Sequence, residues 1–224
     1  MKIIKEKSDH GVLRLIMNNL DQGNALSEGM MSILMDEIKG ASSDQSIKVI
    51  VLAANGNVFC SGHDLKEITT ARENEDSGEA YFKNLFDSCS SLMQLIVNIP
   101  QPVIAEVDGV ATAAGCQLVA SCDLAIASHE SKFATPGVNI GLFCSTPMVA
   151  LSRNVNKKNA MEMLLTGDFI NAEKAKEIGL INNMVQKEEL TFEVNKLAEK
   201  IASKSSMTVS IGKKAFYAQA EMDL

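Results

Sequence analysis

The stretch "DGVATAAGCQLVASCD", Asp108–Asp123, decides the fold, because it leads from the end of a strand through a turn of small residues into a helix. The apolar run "PVIAEV" before it is short and rich in β-branched residues, which is typical of a strand buried on both faces. A further strand, "DLAIAS", follows the helix. This order of strand, helix and strand indicates an α/β protein.

A similar turn occurs earlier in the chain, after the apolar strand "IKVIVLAA". In "FCSGHDLKEI", Gly62 follows the end of a strand, and Asp64 stands three residues before Glu67. A side-chain oxygen followed by a glutamate at this spacing resembles a capping box, which opens a helix. The sequence therefore predicts a second strand-to-helix turn at residues 61–64.

The N-terminal part of the chain predicts a hairpin and then a helix. The apolar residues of Val12–Ile16 indicate a strand that pairs with a first strand near Ile3. Ser27 is a typical N-cap residue, and apolar residues recur after it at helical spacing as far as Ile38. Gly40 predicts the end of this helix, because glycine commonly follows the last helical residue.

The two strand-to-helix turns suggest a site for a developing negative charge. Backbone N–H groups at the start of a helix have no partner inside the helix, and small residues let a ligand approach them closely. Two such helix starts aimed at one point would stabilise an oxyanion. The alternative is that the small residues serve only the close packing of helix on sheet, and each turn taken alone leaves that alternative open.

Composition and charge limit the classes of function. The 224 residues carry a formal net charge of −7 without a cluster of Lys and Arg, which argues against nucleic acid as the main partner. The long uncharged segment at residues 133–152 contains two prolines and two glycines, so it is unsuited to crossing a membrane. The N-terminus has neither a signal-peptide nor a transit-peptide pattern, and we expect a cytoplasmic protein with no membrane partner.

The five cysteines and three histidines suggest neither a disulfide framework nor a metal site. The cysteine number is odd, CxxC spacing is missing, and the histidines are scattered. We therefore expect no metal. Two of the cysteines, Cys116 and Cys144, lie in the segments of interest, and we interpret them as small buried packing groups.

Taken together and in this order, these segments resemble the crotonase, or enoyl-CoA hydratase/isomerase, superfamily. The resemblance covers nearly the whole chain and rests on "GNALS" (23–27), "VFCSGHDLKEI" (58–68), "PVIAEVDGVATAAGCQLVASCDLAIAS" (102–128), "KFATPGVNIGL" (132–142) and "LLTGDFINAEKAKEIGLINNMV" (164–185). It implies a spiral of repeated ββα turns over residues 1–190, followed by the start of a C-terminal helical region over residues 191–224 that is shorter than usual. It also implies an acyl-CoA thioester as substrate, no separate cofactor, and a homotrimer or hexamer.

The resemblance also assigns roles to single residues. The N–H groups that would bind the oxyanion belong to His63 and Ala114. The residues expected near the adenine and pantetheine parts of coenzyme A are Ala25, Leu26, Ser61, Asp64, Leu65 and Lys66. Lys66 would face a phosphate, although an exposed lysine on a helix surface needs no ligand to explain it.

The sequence departs from the family pattern at both acid positions. Two glutamates add water across the double bond in hydratases of this family, and they fall here on Gln117 and Gly137. A glutamine amide does not exchange a proton near neutral pH and glycine has no side chain, so acid–base help of about 10²–10⁴ per group is missing. Residues 109–122 and 133–147 contain no Asp or Glu as a substitute. Ordinary hydratase activity is therefore not expected.

These residues favour two hypotheses. The first is an enzyme that stabilises a thioester enolate in a backbone oxyanion hole, and loss of CO₂ from a malonyl-type thioester is a reaction that needs only this help. The turn "SGHD" resembles that of decarboxylating members, in which the ring of His63 would attract a carboxylate or deliver a proton, unless only its backbone matters. The second hypothesis is a catalytically silent acyl-CoA-binding protein. A nucleotide-dependent dehydrogenase is set aside because no G-x-G-x-x-G follows a strand.

Overall fold

Strands and helices alternate along most of the chain in the computed structural model, which describes residues 2–220 and 222–223. The strands are β1 (Ile3–Lys7), β2 (Val12–Met17), β3 (Val49–Ala54), β4 (Val58–Cys60), β5 (Val103–Val107), β6 (Val110–Thr112), β7 (Leu124–Ser128), β8 (Lys132–Ala134), β9 (Ile170–Asn171) and β10 (Asn183–Val185). The α-helices are α1 (Glu28–Ser43), α2 (Leu65–Ala71), α3 (Glu79–Asn98), α4 (Ala114–Ser121), α5 (Ser145–Asn154), α6 (Lys157–Thr166), α7 (Ala172–Glu177), α8 (Lys187–Ala202) and α9 (Ser206–Ala220). Two short 3-10 helices lie at Leu20–Gln22 and Pro136–Ile140.

The described strands form two sheets, and successive pairs of strands along the chain contribute one strand to each sheet. The larger sheet has the order β1-β2-β3-β5-β7-β10 and the smaller has the order β4-β6-β8-β9. Three strand pairs in succession, β3 and β4, β5 and β6, β7 and β8, give their first strand to the large sheet and their second to the small one. A helix follows each pair, and the strands contributed by successive pairs run parallel. The predicted α/β fold of ββα repeats is confirmed.

The large sheet is covered on both faces, as its apolar strands predict. Side chains of a strand point alternately to opposite faces. In β3, Val49 and Val51 pack in a small cluster with residues of α8, while Ile50 and Leu52 belong to the main core with α1 and α3. Burial on both faces explains why the sequence of this strand is almost wholly apolar.

The start of α1 follows the sequence prediction, but its end does not. The hydroxyl of Ser27 accepts a hydrogen bond of 3.1 Å from the N–H of Met30, so the predicted N-cap is confirmed. The prediction that Gly40 ends the helix is wrong, since α1 continues to Ser43. A glycine ends a helix by taking a positive φ, and Gly40 does not take one. The opening hairpin of β1 and β2 is confirmed as an antiparallel pair.

Two helices follow the last described strand. Helix α8 packs on the large sheet through Leu190 and Val194 and begins at Lys187, a few residues before the predicted boundary at 191. The division of the chain at residue 190 stays a prediction. Helix α9 is attached through Lys213, whose Nζ donates to Oδ2 of Asp123 at 2.7 Å and to two backbone carbonyl oxygens at 2.9 Å. None of the helices in the described ranges is long and apolar enough to cross a membrane.

Candidate active site at two strand-to-helix turns

The two predicted turns lie side by side. Strands β4 and β6 are parallel neighbours in the small sheet, and Cys60 pairs with Ala111 at their ends. Because parallel strands end at the same edge of a sheet, the turns that follow them meet there. The hydroxyl of Thr112 donates a hydrogen bond of 3.0 Å to the carbonyl oxygen of Ser61, which joins the two turns directly.

Small residues in both turns permit this close approach. Gly62 has a φ of +93°, and a Cβ built on it would lie 2.9 Å from the Cβ of Ala113. A Cβ built on Gly115 would overlap the carbonyl oxygen of Cys60 and lie 2.8 Å from the carbonyl carbon. Non-bonded carbon atoms prefer separations of about 3.5–4.0 Å. The small residues therefore serve the packing of one turn on the other, whatever they also do for a ligand.

Ala113 holds the second turn in an unusual backbone conformation. Its φ of 50° and ψ of −119° lie in a region that residues with a side chain rarely adopt, at a cost of about 1–3 kcal/mol. Its N–H donates to the carbonyl oxygen of Ala134 at 2.9 Å. Helix α4 begins at Ala114, and the Gln117 N–H donates to the carbonyl oxygen of Ala113. The N–H of Ala114 therefore has no partner inside the helix. Sequence reasoning missed Ala113, because an alanine gives no sign of a positive φ.

His63 lies in the first turn, next to the segment before α1. It forms a parallel bridge with Leu26, and its Nδ1 lies 3.3 Å from the carbonyl oxygen of that residue. Its Nε2 is buried without a hydrogen-bond partner among the described residues, and the ring packs edge-on against Phe86 at 6.1 Å. Burial lowers the pKa of the imidazole below its ordinary value of 6.5. The ring is therefore neutral near pH 7 and brings no positive charge to the site.

Gln117 is a buried side chain one turn into α4. It is only 5% exposed, and its Oε1 accepts a hydrogen bond from the thiol of Cys89 on α3, with 3.8 Å between Sγ and Oε1. Burial raises the pKa of Cys89 to about 12, so this thiol keeps its proton. The structure thus places Gln117 where α3 and α4 meet, on the same helix face as Ala114.

Gly137 lies in the 3-10 helix Pro136–Ile140, where no side chain fits. A Cβ built on it would lie 2.8 Å from Sγ of Cys144 and 2.7 Å from the carbonyl oxygen of Leu142. The Gly137 N–H donates to the same Sγ at 3.3 Å. Burial raises the pKa of the Cys144 thiol, so a neutral sulfur occupies the space beside Gly137.

The neighbourhood of Gln117 and Gly137 contains several thiols. All five cysteines are free and buried. Burial raises the pKa of Cys60 and of Cys116 to about 12, and the thiol of Cys144 contributes to the shift of Cys116. These groups are protonated near neutral pH, which makes them poor nucleophiles and poor bases. They agree with the interpretation of Cys116 and Cys144 as buried packing groups.

The two segments predicted to bind coenzyme A are brought together. The N–H of Leu26 donates to the carbonyl oxygen of Gly62 at 2.7 Å, and the N–H of Ser61 donates to that of Gly23 at 3.0 Å. Ala25 and Leu26 are buried, whereas Ser61 is exposed. Backbone contacts therefore fix the segment before α1 against the first turn.

The remaining predicted residues stand at the start of α2. Oδ1 of Asp64 accepts from the N–H groups of Lys66 and Glu67, at 2.9 and 3.4 Å, and so caps the helix. Glu67 does not complete a capping box, because its carboxylate accepts instead from the N–H of Glu28 at 3.1 Å. Leu65 is 59% exposed and Lys66 is also exposed. Leu65 and Lys66 are therefore the side chains of this group that face solvent.

The part of the chain that the structure describes offers no metal cluster that would compete with this site. Within residues 2–220 and 222–223, no group of three or more His, Cys, Asp or Glu side chains could hold a metal ion. Two open surface clefts, of about 370 and 430 Å³, lie beside Phe169 and beside Gln101. None of the predicted site residues lines either cleft.

Successive ββα units that end in two adjacent strand-to-helix turns define the crotonase class of folds. The chain belongs to the enoyl-CoA hydratase/isomerase family, whose family model matches residues 7–224. Curated relatives include proteins called enoyl-CoA hydratase domain-containing protein 3, mitochondrial. The one from Xenopus laevis is 50% identical over 97% of this chain and 72% of its own length, and the one from Homo sapiens is 50% identical over 96% and 69%.

Solved structures agree with this assignment. An enoyl-CoA hydratase from Mycobacterium smegmatis superposes with a TM-score of 0.95 and 45% identity, covering 100% of this chain and 85% of that one. The human enoyl coenzyme A hydratase domain-containing protein 3 gives a TM-score of 0.94 and 47% identity, with coverage of 100% and 86%. The predicted crotonase fold is confirmed by these structures.

The comparisons contradict the expected location in the cytoplasm. The relatives from Xenopus laevis, Rattus norvegicus, Mus musculus and Homo sapiens are all named as mitochondrial proteins. The cytoplasmic prediction, which relied on the composition of the first residues, is therefore wrong.

Proposed function

We propose that this protein binds acyl-CoA thioesters and stabilises the thioester enolate through the backbone N–H groups of His63 and Ala114. The observation that carries this proposal is the contact between the two turns, in which Gly62 lies against Ala113 and Gly115 lies against Cys60. Membership of the enoyl-CoA hydratase/isomerase family supports the choice of a CoA thioester. Each donor of such a pair would contribute about 3 kcal/mol to the stability of a developing oxyanion.

The CoA part of the ligand is proposed to lie along the two segments that the backbone contacts join. We assign it to Ala25, Leu26, Ser61, Asp64, Leu65 and Lys66. Leu65 supplies exposed apolar surface for the pantetheine or adenine part, and Lys66 supplies a positive charge for a phosphate. The side chain of Asp64 is occupied by its helix cap, so this residue acts by holding α2 in place.

Chemistry at this site would depend on enolate stabilisation alone. Gln117 and Gly137 stand at the two acid positions of the family, and the thiol beside Gly137 is neutral. Loss of CO₂ from a malonyl-type thioester suits such a site, because no base has to start the reaction. The bond to the carboxylate breaks, its electron pair forms the enolate, and water protonates the carbon afterwards. The enolate oxygen receives the two N–H groups.

A catalytically silent acyl-CoA-binding protein is the second candidate function. The same observations favour it, since the buried thiols near Gln117 and Gly137 keep their protons and the ring of His63 is neutral. The neutral ring of His63 has its Nδ1 engaged with Leu26, which leaves Nε2 as the atom available for proton transfer. Turnover of a malonyl-type substrate distinguishes the two functions.

The assembly and location are proposed from the family. We propose a homotrimer or hexamer, and large exposed apolar side chains such as Phe143, Leu165 and Phe169 would provide surface for it. Residues 1–190 would form the catalytic core and residues 191–224 the start of the C-terminal helical region. The names of the relatives support a mitochondrial location.

The proposal is tested by binding and turnover measured together. The protein is titrated with crotonyl-CoA and methylmalonyl-CoA, and hydration and CO₂ release are then assayed. We expect binding of both thioesters, CO₂ release from methylmalonyl-CoA and no hydration at a typical enzymatic rate. Ala114→Pro removes one proposed donor at the first position of α4, where helices tolerate proline, and it should lower CO₂ release by about 10²–10³.

His63→Ala is the matched control, because it keeps the backbone N–H and removes only the ring. If CO₂ release persists in His63→Ala and is lost in Ala114→Pro, the backbone donors carry the reaction. Tight binding without any turnover favours the silent acyl-CoA binder. Rapid hydration of crotonyl-CoA would contradict the argument that Gln117 and Gly137 disable the hydratase.

A further inference from the structure

The cleft beside Gln101 is positively charged. It has a volume of about 430 Å³ and lies between the end of α1, the starts of β3 and β5 and the junction of α8 and α9. Its walls carry two exposed lysines, Lys48 and Lys204. Neither lysine forms an ion pair with another described residue, and no Asp or Glu is among the described residues that line the cleft. Two positive charges in a concave surface without an acid attract an anion.

Helix α9 begins in the same cleft. Its first two residues, Ser206 and Met207, line the cleft. The preceding Ser205 accepts from the next two N–H groups, through its hydroxyl from Thr208 at 3.3 Å and through its carbonyl oxygen from Val209 at 3.0 Å. The N–H groups of Ser206 and Met207 have no acceptor among the described residues. Such groups, at the positive end of a helix dipole, are suited to bind an anion.

Gln101 adds a buried acceptor that has no donor. The residue lines the cleft and is only 7% exposed. Its Nε2 donates to the carbonyl oxygens of Ala41 and Ile47, at 3.0 and 3.3 Å, and these bonds fix the orientation of the amide. Its Oε1 is enclosed and accepts no hydrogen bond from a described residue. Buried polar atoms are normally paired, so this oxygen calls for a donor such as a hydroxyl group.

These three features together define the ligand. A carbonyl oxygen would repel a bare anion, so the ligand has to carry its negative charge at the lysines and an O–H group at Gln101. Two lysines and two N–H groups match the double charge and the three acceptor oxygens of a phosphate better than a single carboxylate.

We propose that this cleft binds a small phosphorylated compound that carries a hydroxyl group. The phosphate lies between Lys48, Lys204 and the start of α9, and the hydroxyl donates to Oε1 of Gln101. A cleft of about 430 Å³ has the size of a small-molecule site. The inference goes beyond the proposed function, because none of the residues assigned to the thioester site lines this cleft.

The test is isothermal titration calorimetry at pH 8 with three probes. Glycerol phosphate carries both a phosphate and hydroxyl groups, methyl phosphate carries only the phosphate, and glycerol carries only hydroxyl groups. At pH 8 an ester phosphate has lost its second proton, so methyl phosphate has no O–H group to donate. We expect glycerol phosphate to bind about fivefold more tightly than methyl phosphate, because one hydrogen bond is added, and glycerol not to bind measurably.

Variants of the two lysines locate the phosphate. Lys48→Met and Lys204→Met should each weaken the binding of both phosphates at least about tenfold, because each removes a charge-assisted hydrogen bond. Lys214→Met is the matched control, since this exposed lysine of α9 does not line the cleft, and it should leave both affinities unchanged.

Gln101→Met locates the hydroxyl. Methionine has nearly the same length but no acceptor of comparable strength, so glycerol phosphate should bind this variant only as tightly as methyl phosphate does. The affinity for methyl phosphate should stay at the wild-type value. The substitution also removes the bonds to Ala41 and Ile47, so thermal unfolding is recorded to show that the variant is folded. The lysine variants test the cleft independently of this one.

Lys66→Met distinguishes this cleft from the proposed coenzyme A site, where Lys66 would face a phosphate. Loss of glycerol phosphate binding in Lys66→Met, with normal binding in Lys48→Met and Lys204→Met, would place the probe at the thioester site and overturn the inference. Equal affinity of the wild-type protein for glycerol phosphate and methyl phosphate, or no binding of either, would also overturn it. None of these results changes the thioester assays on which the proposed function depends.

Discussion

The contact between the two turns can be tested by adding a single methyl group at Gly115. A Cβ there would overlap the carbonyl oxygen of Cys60 and lie 2.8 Å from the carbonyl carbon. The preferred carbon separation is about 3.5–4.0 Å, so the start of α4 and the end of β4 must move apart by about 0.7–1.2 Å. The obstructing atoms belong to the backbone, which has no other rotamer to adopt. We therefore expect Gly115→Ala to lose at least about 1–3 kcal/mol of unfolding free energy.

Gly40→Ala is the matched control for this substitution. Gly40 also lies inside a helix, but a Cβ built on it meets no atom within 4 Å. Alanine is favoured over glycine within a helix by roughly 0.5–1 kcal/mol, so this variant should gain stability. For a chain of this length, 1 kcal/mol corresponds to a change of about 2–4 °C in Tm. The same chemical change should thus lower Tm by about 2–12 °C at residue 115 and raise it by about 1–4 °C at residue 40.

Thermal unfolding followed by circular dichroism measures both variants. CO₂ release or thioester binding, measured below the Tm of each variant, adds a second readout for Gly115→Ala. A displacement of about 1 Å at a reacting centre can cost about 10²-fold in rate. Equal melting of Gly115→Ala and the wild-type protein would show that the turns are not in close contact, and the geometric basis of the proposed site would be lost.

Two further predictions concern buried ionisable groups. Burial lowers the folded-state pKa of His63, so its contribution to stability is present above the ordinary value of 6.5 and is lost as the pH falls through the lowered pKa. Urea unfolding at a series of pH values should therefore show that the wild-type protein loses unfolding free energy as the pH falls from 6.5 through the lowered pKa of His63. His63→Phe should abolish this loss. His129→Gln, at an exposed position, is the control and should keep the loss. Lys213→Met should cost about 1–3 kcal/mol by removing the partly buried cation that donates to Asp123. Lys174→Met, at an exposed ion pair, should cost less than about 1 kcal/mol. Urea unfolding measures both variants, and equal losses would contradict the role assigned to Lys213.

The order of strands and helices could be predicted from the sequence because the signals are local. The apolar pattern of β3 and the capping residues Ser27 and Asp64 act within a few residues, and each was found where the sequence predicts it. Gly40 shows the limit of such signals, since a glycine ends a helix only if the backbone turns there. The buried residues Ile38 and Ala41 on either side continue the packed face of α1 through it.

The details that shape the candidate site depend on contacts between distant parts of the chain. Glu67 bonds to the start of α1 and not to its own helix, and Gln117 meets Cys89 on another helix. The positive φ of Ala113 occurs where its turn packs on Gly62. No local sequence pattern encodes these arrangements, because each requires two elements to have met already.

Gln117 and Gly137, the residues predicted at the family's two acid positions, differ in how their surroundings would accept a glutamate, and under the proposed function this difference matters. At residue 117, glutamine and glutamate have nearly the same shape, so the packing against α3 could accept either side chain. At residue 137 the space that a side chain needs is filled by the sulfur of Cys144 and the carbonyl oxygen of Leu142. A glutamate there would have to displace the backbone of the loop that leads into α5. Under the proposed function, the loss of acid–base chemistry is therefore fixed in the packing of that loop, and restoring a single carboxylate at residue 117 would not recreate the pair that hydration needs.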